Sequence, residues 1–262
     1  MEYRSLGRAG VKVSQLCLGT MMFGGATNEK DSIRIIQRGF DAGVNFFDSA
    51  NVYNQGESER ILGKAIRSIR DEVVIATKVR GAMGQGVNQS GTSRYHIMSQ
   101  VEESLKRLDT DRIDLYYLHS PDATTPIEES LRALDDCVRQ GKVRYIGCSN
   151  FHAWRVCEAL WVSDRMNLEK FVCVQPLYNI VNRDNEHELL PFCNAHGAGV
   201  VSYSPLARGV LSGKYLPGQP PPPDSRAARQ DRRILQTELR EESFEIAQKL
   251  KLFAEAHGKT VT

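Results

Sequence analysis

The sequence predicts a (β/α)8 TIM barrel, and three observations carry that prediction. Short apolar bursts recur along the chain, amphipathic helical stretches separate them, and the bursts end near residues 48, 78, 119, 149, 175 and 203. Most bursts are continuously apolar, β-branched or aromatic rather than alternating. Strands covered on both faces of a parallel sheet read that way. At 262 residues the chain has the length such a barrel occupies as one domain, read here as residues 1–262.

In chain order, residues 3–6, the glycines Gly7 and Gly10, and residues 11–18 read as a hairpin (1–15) running into the first barrel strand, which Gly19 closes. Further strands are expected at 45–48, 73–78, 113–119, 143–147, 171–175 and 200–203. Helices lie between them. Ile97, Val101, Leu105 and Leu108 recur at helical spacing, as do Ile127, Leu131, Leu134 and Val138. For the second of these, Thr125 reads as the N-cap, with Pro126 at the first helical position and Glu128 completing a capping box. The four prolines at 220–223 forbid helix and ladder pairing, so 204–240 is expected to be a cofactor or lid loop. A last helix runs over 241–257 with Phe244, Ala247, Leu250 and Ala254 on one face. This count gives seven strands. A barrel needs eight, so the closing strand and its helix are expected to lie beyond Thr262.

Bulk composition narrows the function classes. Hydrophobic residues at 41% and charged residues at 25% suit a globular domain with a full core. A net charge of +2 offers no attraction to nucleic acid or an anionic membrane surface. No apolar run approaches the roughly 18 residues of a membrane span, and the first residues hold no signal core. Cys17, Cys137, Cys148, Cys157, Cys173 and Cys193 are scattered, with no metal-ligand spacing. They read as buried reduced thiols of a cytoplasmic protein, with no metal site.

The catalytic candidates come from the reactive face of a barrel, where its strands end. Asp48, Lys78, His119, Ser149, Asn150, Gln175 and Tyr203 fall there, and Tyr53 follows Asp48 on the same loop. Each alone is ordinary; all of them on one rim is not. Asp48, Tyr53, Lys78 and His119 make sense as a proton-transfer unit. A tyrosine ordinarily titrates near pH ~10, and a lysine within about 4–6 Å favours the phenolate. A carboxylate keeps such a lysine charged and aimed. A histidine can donate to a carbonyl oxygen where negative charge develops. No serine sits in a nucleophile elbow, so covalent hydrolysis fits poorly.

At this point the motifs match a family. Leu18-Gly19-Thr20-Met21, Phe47-Asp48-Ser49-Ala50-Asn51-Val52-Tyr53, Gly56-Glu57-Ser58-Glu59, Ile75-Ala76-Thr77-Lys78, Asp114-Leu115-Tyr116-Tyr117-Leu118-His119 and Tyr203-Ser204-Pro205-Leu206 occur in order. Together they resemble the aldo-keto reductases, in particular the branch of aryl-alcohol dehydrogenases and potassium-channel β-subunits. The resemblance implies reduction of a small aldehyde or ketone with NADP(H), with NAD(H) left open because the 2′-phosphate motif falls beyond Thr262. It implies Tyr53 as general acid, Lys78 and Asp48 as its tuners, and His119 as the group orienting the carbonyl. It places Thr20 and Met21 near the nicotinamide ribose, counts Gly19 and Asp48 among the cofactor contacts, and sets Ser149, Asn150 and Gln175 on the nicotinamide amide. Tyr203 would stack on the ring, and Ser204, Pro205, Leu206, Ala207, Gly209 and Lys214 would hold the pyrophosphate. The channel branch supplies an alternative, a cofactor-sensing regulatory subunit with little turnover. In those subunits the position of His119 is typically asparagine, so His119 favours catalysis. Oligomeric state and physiological substrate stay open.

Overall fold

The computed structural model describes residues 1–262, and the chain divides into two compact units. The first comprises residues 1–176 and 188–201, the second 177–187 and 202–262.

The first unit opens with a hairpin, β1 (Tyr3–Ser5) antiparallel to β2 (Lys12–Ser14). Gly7 turns it with φ +58, and a Cβ there would stand 2.4 Å from the Val172 carbonyl oxygen. Only glycine permits that approach. Seven parallel strands follow in the order of the chain: β3 (Cys17–Gly19), β4 (Phe46–Asp48), β5 (Val74–Val79), β6 (Ile113–Leu118), β7 (Val143–Ser149), β8 (Phe171–Gln175) and β9 (Gly199–Val200). Between them lie α1 (Glu29–Asp41), α2 (Glu57–Ile66), α3 (Arg94–Leu108), α4 (Ile127–Arg139), α5 (Ala153–Met166) and α6 (Leu189–His196). This is the arrangement of a (β/α)8 barrel with an N-terminal hairpin, as expected. The sheet holds seven strands, and β3 and β9 form its two edges.

Strand residues alternate between two apolar layers, as period two requires. Phe47, Ile75, Tyr116 and Leu118 pack outward with Ile36, Ile61, Leu62, Ile97 and Leu131 of the helices. Phe46, Val74, Ala76, Leu115, Tyr117 and Cys173 pack inward with Leu6 and Val13 of the hairpin. That parity sets the site. Asp48, Lys78 and Gln175 share the inward phase of Phe46, Ala76 and Cys173, and His119, one residue past β6, keeps the phase of Tyr117. Helices are closed locally: the side chains of Asn28 and Ser93 accept from the backbone N–H groups of Asp31 and His96 at the starts of α1 and α3. Gly63 lets α2 meet α3, since a Cβ there would stand 2.2 Å from the Leu108 carbonyl oxygen.

The second unit contains a 3₁₀ turn at Ala207–Ser212, α7 (Arg232–Thr237) and α8 (Glu241–Ala256). Ala207, Val210, Leu211, Tyr215, Ala227, Ile234 and Ala247 form its core. Arg208 pairs with the fully buried Glu238 at 2.7 Å, and Asn182 donates to the same carboxylate at 2.8 Å.

Four expectations are corrected here. The expected strand over 200–203 ends at Val200, and Tyr203 instead forms a lone parallel bridge with Leu177. The segment 204–240 is not loop throughout, because two helical pieces interrupt it where Val210 and Ile234 supply apolar anchors. α4 has no capping box: it begins after Pro126 with no side-chain cap, and the Thr125 hydroxyl donates instead to Asp122 at 3.0 Å. Cys157 is exposed on α5 rather than buried, and all six thiols are free. No helix is long and apolar enough to cross a membrane.

Candidate active site

Lys78 lies at the centre of the rim, fully buried near the end of β5. An ammonium has three hydrogens, and all three have acceptors. Lys78 Nζ donates to Asp48 Oδ1, to the Ser49 carbonyl oxygen at 2.6 Å, and to the Tyr53 hydroxyl oxygen at 3.5 Å. Burial alone would lower the Lys78 pKa. The Asp48 carboxylate chiefly, with Tyr53, outweighs it and holds the pKa above the ordinary lysine value. The group therefore stays cationic. Asp48 is pinned from its other side, where Gln175 Nε2 donates to Oδ2 at 3.0 Å.

Tyr53 follows β4 on a turn shaped by three consecutive left-handed residues, Asn54, Gln55 and Gly56, at φ 47, 56 and 89. Such backbone persists only where contacts compensate its strain. The Asn54 side chain supplies two, donating to the carbonyls of Met21 at 3.1 Å and Phe23 at 2.7 Å. Gly56 is required twice over, by its φ and because a Cβ would stand 2.5 Å from Arg107 Cδ. The Tyr53 ring meets the His119 ring edge-on, with centroids 5.7 Å apart. His119 is placed by its backbone: its N–H donates to Val79 and its carbonyl accepts from Asn150 Nδ2, each at 2.9 Å.

The remaining predicted residues of this unit join the same set. Asn150, at φ 61, also donates to Ser149 Oγ at 3.0 Å, and Ser149 donates to the Gln175 carbonyl at 2.8 Å. The Thr20 N–H donates to the Asp48 carbonyl at 2.8 Å, and Gly19 stands in register with Asp48. The structure thus brings Asp48, Tyr53, Lys78, His119, Ser149, Asn150, Gln175, Gly19 and Thr20 together, and Met21 holds the Asn54 amide beside them.

Tyr203 and the run from Ser204 to Lys214 belong to the second unit. There Ser204, Ala207, Arg208 and Gly209 all have positive φ, and Asn179 Nδ2 donates to the Ser204 carbonyl at 2.9 Å. A Cβ on Gly209 would stand 3.1 Å from Lys214 Nζ. Bare backbone beside a cation suits the close approach of a phosphate. The donor set fits a dinucleotide's pyrophosphate.

Two further carboxylates stabilise the scaffold around this site. Glu59, fully buried, accepts from the Thr77 hydroxyl at 2.5 Å and from Arg107 Nε at 2.6 Å. Asp122 accepts from the Thr92 and Thr124 N–H groups and from the Thr124 and Thr125 hydroxyls. Burial would raise its pKa, but these donors outweigh it and hold the carboxyl well below the usual range. Glu59 stood in the motif Gly56-Glu57-Ser58-Glu59 without a role, and Asp122 showed in the sequence only as an aspartate past His119.

A parallel β/α sheet with helices between its strands, carrying a buried Lys78–Asp48 pair beside Tyr53 at the strand ends, is the architecture of a (β/α)8 barrel. The aldo/keto reductase family model matches residues 15–262. A probable voltage-gated potassium channel subunit beta of Oryza sativa subsp. japonica is 44% identical over 233 residues, covering 87% of this chain and 70% of the relative. The aldo-keto reductase AMT2 of Alternaria alternata is 38% identical over 258 residues, covering 86% and 68%. Versiconal hemiacetal acetate reductase of Aspergillus parasiticus is 36% identical over 238 residues, covering 81% and 69%. The chain belongs to the aldo/keto reductase family of oxidoreductases, whose members use nicotinamide cofactors on small carbonyl compounds.

Proposed function

We propose that the protein reduces aldehydes or ketones to alcohols with NADPH, with Tyr53 as general acid, as one aldo-keto reductase domain of the cytoplasm. The carrying observation is the buried Lys78 ammonium, fixed by Asp48 and the Ser49 carbonyl and aimed at the Tyr53 hydroxyl. A bound nicotinamide cofactor supplies the hydride.

The residues of this chain do the rest. Tyr53 gives its hydroxyl proton to the carbonyl oxygen, and positive Lys78 stabilises the charge left on the phenol oxygen. Asp48 keeps Lys78 cationic, and His119 donates to the same carbonyl oxygen. In the first unit, Gly19, Thr20, Met21, Ser149, Asn150 and Gln175 are the proposed cofactor contacts. In the second, Tyr203 offers a flat ring, and 204–209 with Lys214 offer backbone and charge to phosphates.

The test is fluorescence-quenching titration with NADPH and NADH, followed by NAD(P)H oxidation over an aldehyde and ketone panel that includes 4-nitrobenzaldehyde. Saturable NADPH binding with turnover is expected; binding without turnover of any carbonyl overturns the reading. That outcome would favour a second reading, a regulatory subunit, which the 44% identity to a protein named as a channel subunit beta supports.

A further inference from the structure

We propose that Ser58 is a positioning residue that sets the direction in which Lys78 faces Tyr53; the proposal rests on the catalytic reading above. Ser58 lies in the first turn of α2 and touches none of the four candidate catalytic side chains. Its hydroxyl is the meeting point of the two segments that hold them. Ser58 Oγ donates to the Thr20 carbonyl at 2.9 Å, stands 2.6 Å from Thr20 Oγ1, and stands 2.9 Å from Ser49 Oγ. Thr20 in turn donates to the Asp48 carbonyl from both its N–H, at 2.8 Å, and its hydroxyl, at 3.0 Å. Thr20, Ser49 and Ser58 are all 0% exposed, so their hydroxyls depend on one another and on the backbone for hydrogen bonds.

The consequence runs through Ser49. Its carbonyl takes one of the three Lys78 hydrogens at 2.6 Å, and Asp48 takes a second. With two directions fixed, tetrahedral geometry fixes the third, toward Tyr53. That third contact stands at 3.5 Å, the outer limit of a hydrogen bond. A displacement of a few tenths of an ångström in Ser49 therefore decides whether lysine and tyrosine communicate. Glu59, the next residue, faces the other way and seals Thr77 and Arg107. The motif Gly56-Glu57-Ser58-Glu59 thus carries one residue for the site and one for the scaffold.

The experiment is a double-mutant cycle of Ser58→Ala with Tyr53→Phe, assayed where circular dichroism shows every variant folded. Ser58→Ala should lower kcat about 10- to 100-fold while the NADPH dissociation constant stays within about twofold. In the Tyr53→Phe background it should lower the residual rate no further, because the interaction it tunes is already gone. An unchanged kcat, or an equal loss in both backgrounds, overturns the proposal. Should Ser58→Ala not fold, Ser49→Ala makes the same test, since it cuts the Ser49–Ser58 contact and keeps the carbonyl. If the wild type reduces no carbonyl, the catalytic reading fails and hydrogen exchange decides this one. The N–H groups of Ser49 and Asn51 donate to Ala76 and Lys78 at 2.9 and 3.1 Å. Faster exchange over 48–53 in the variant supports positioning, and unchanged exchange overturns it.

Discussion

Two ion pairs are buried in the first unit, and they differ in what their third partner is. Arg107 and Glu59, with side chains 9% and 0% exposed, spend their remaining bonds on Thr77 and Ser104, which do no chemistry. Lys78 and Asp48 spend theirs on the Ser49 carbonyl, on Gln175 and on Tyr53, whose hydroxyl can give up a proton. Burying either pair costs desolvation, and only good geometry with extra hydrogen bonds offsets it. The sealed pair converts that cost into rigidity between α2 and α3. The open pair converts it into a cation held next to a phenol. Burial and charge alone do not distinguish the two pairs; the chemistry of the third partner does.

The sharpest way to break this contrast is Tyr53→Phe. Carbonyl reduction should fall about 10²- to 10⁴-fold, with NADPH affinity by fluorescence quenching nearly unchanged; reduction at the wild-type rate would remove the distinction between the pairs. Next, Arg107→Met strands Glu59 as an uncompensated buried charge. It should cost about 3–5 kcal/mol of stability in urea unfolding, while kcat per folded molecule holds. A large fall in kcat at constant folded fraction would place the sealed pair in the mechanism.

The pH dependence separates the pairs more gently. Lys78 titrates above its ordinary 10.5 in the folded protein. Its contribution to stability is complete below that value and is lost as pH climbs through the raised one. Lys78→Met should therefore flatten the alkaline limb of stability against pH, measured by urea midpoints, and an unaltered limb would contradict the assignment. At the acid end Asp122 acts in the opposite sense. Its depressed pKa contributes stability above 3.8 that disappears as pH falls, so Asp122→Asn should flatten the acid limb. The smallest effect is chemical: Cys157 is the exposed thiol, and a thiol reagent on the folded protein should label it first, by peptide mass mapping.

Much of the site was legible because the apolar bursts end in polar residues, and where a burst ends is a property of sequence. The structure added the facing: Asp48, Lys78 and Gln175 share the inward phase of Phe46, Ala76 and Cys173. The misreadings have a common cause. Thr125 has the residue type of an N-cap, but the helix starts one residue later, after Pro126, and the Thr125 side chain turns to Asp122. Tyr203 followed an apolar burst, but the strand ended at Val200 and the tyrosine paired with Leu177 in the second unit. Local pattern could not weigh those competing partners.

By itself, then, the sequence determined the order of strands and helices, the hairpin, the strand-end position of most rim residues and the family. These follow from spacing and residue type along the chain. Tertiary structure alone decided which charges meet. Glu59 and Arg107 lie 48 residues apart, Asp48 and Gln175 127 apart, and Ser58 and Thr20 38 apart. Hydrogen bonding at those separations depends on distances near 3 Å, which the packing of α2 and the register of seven strands set, and which no periodicity encodes.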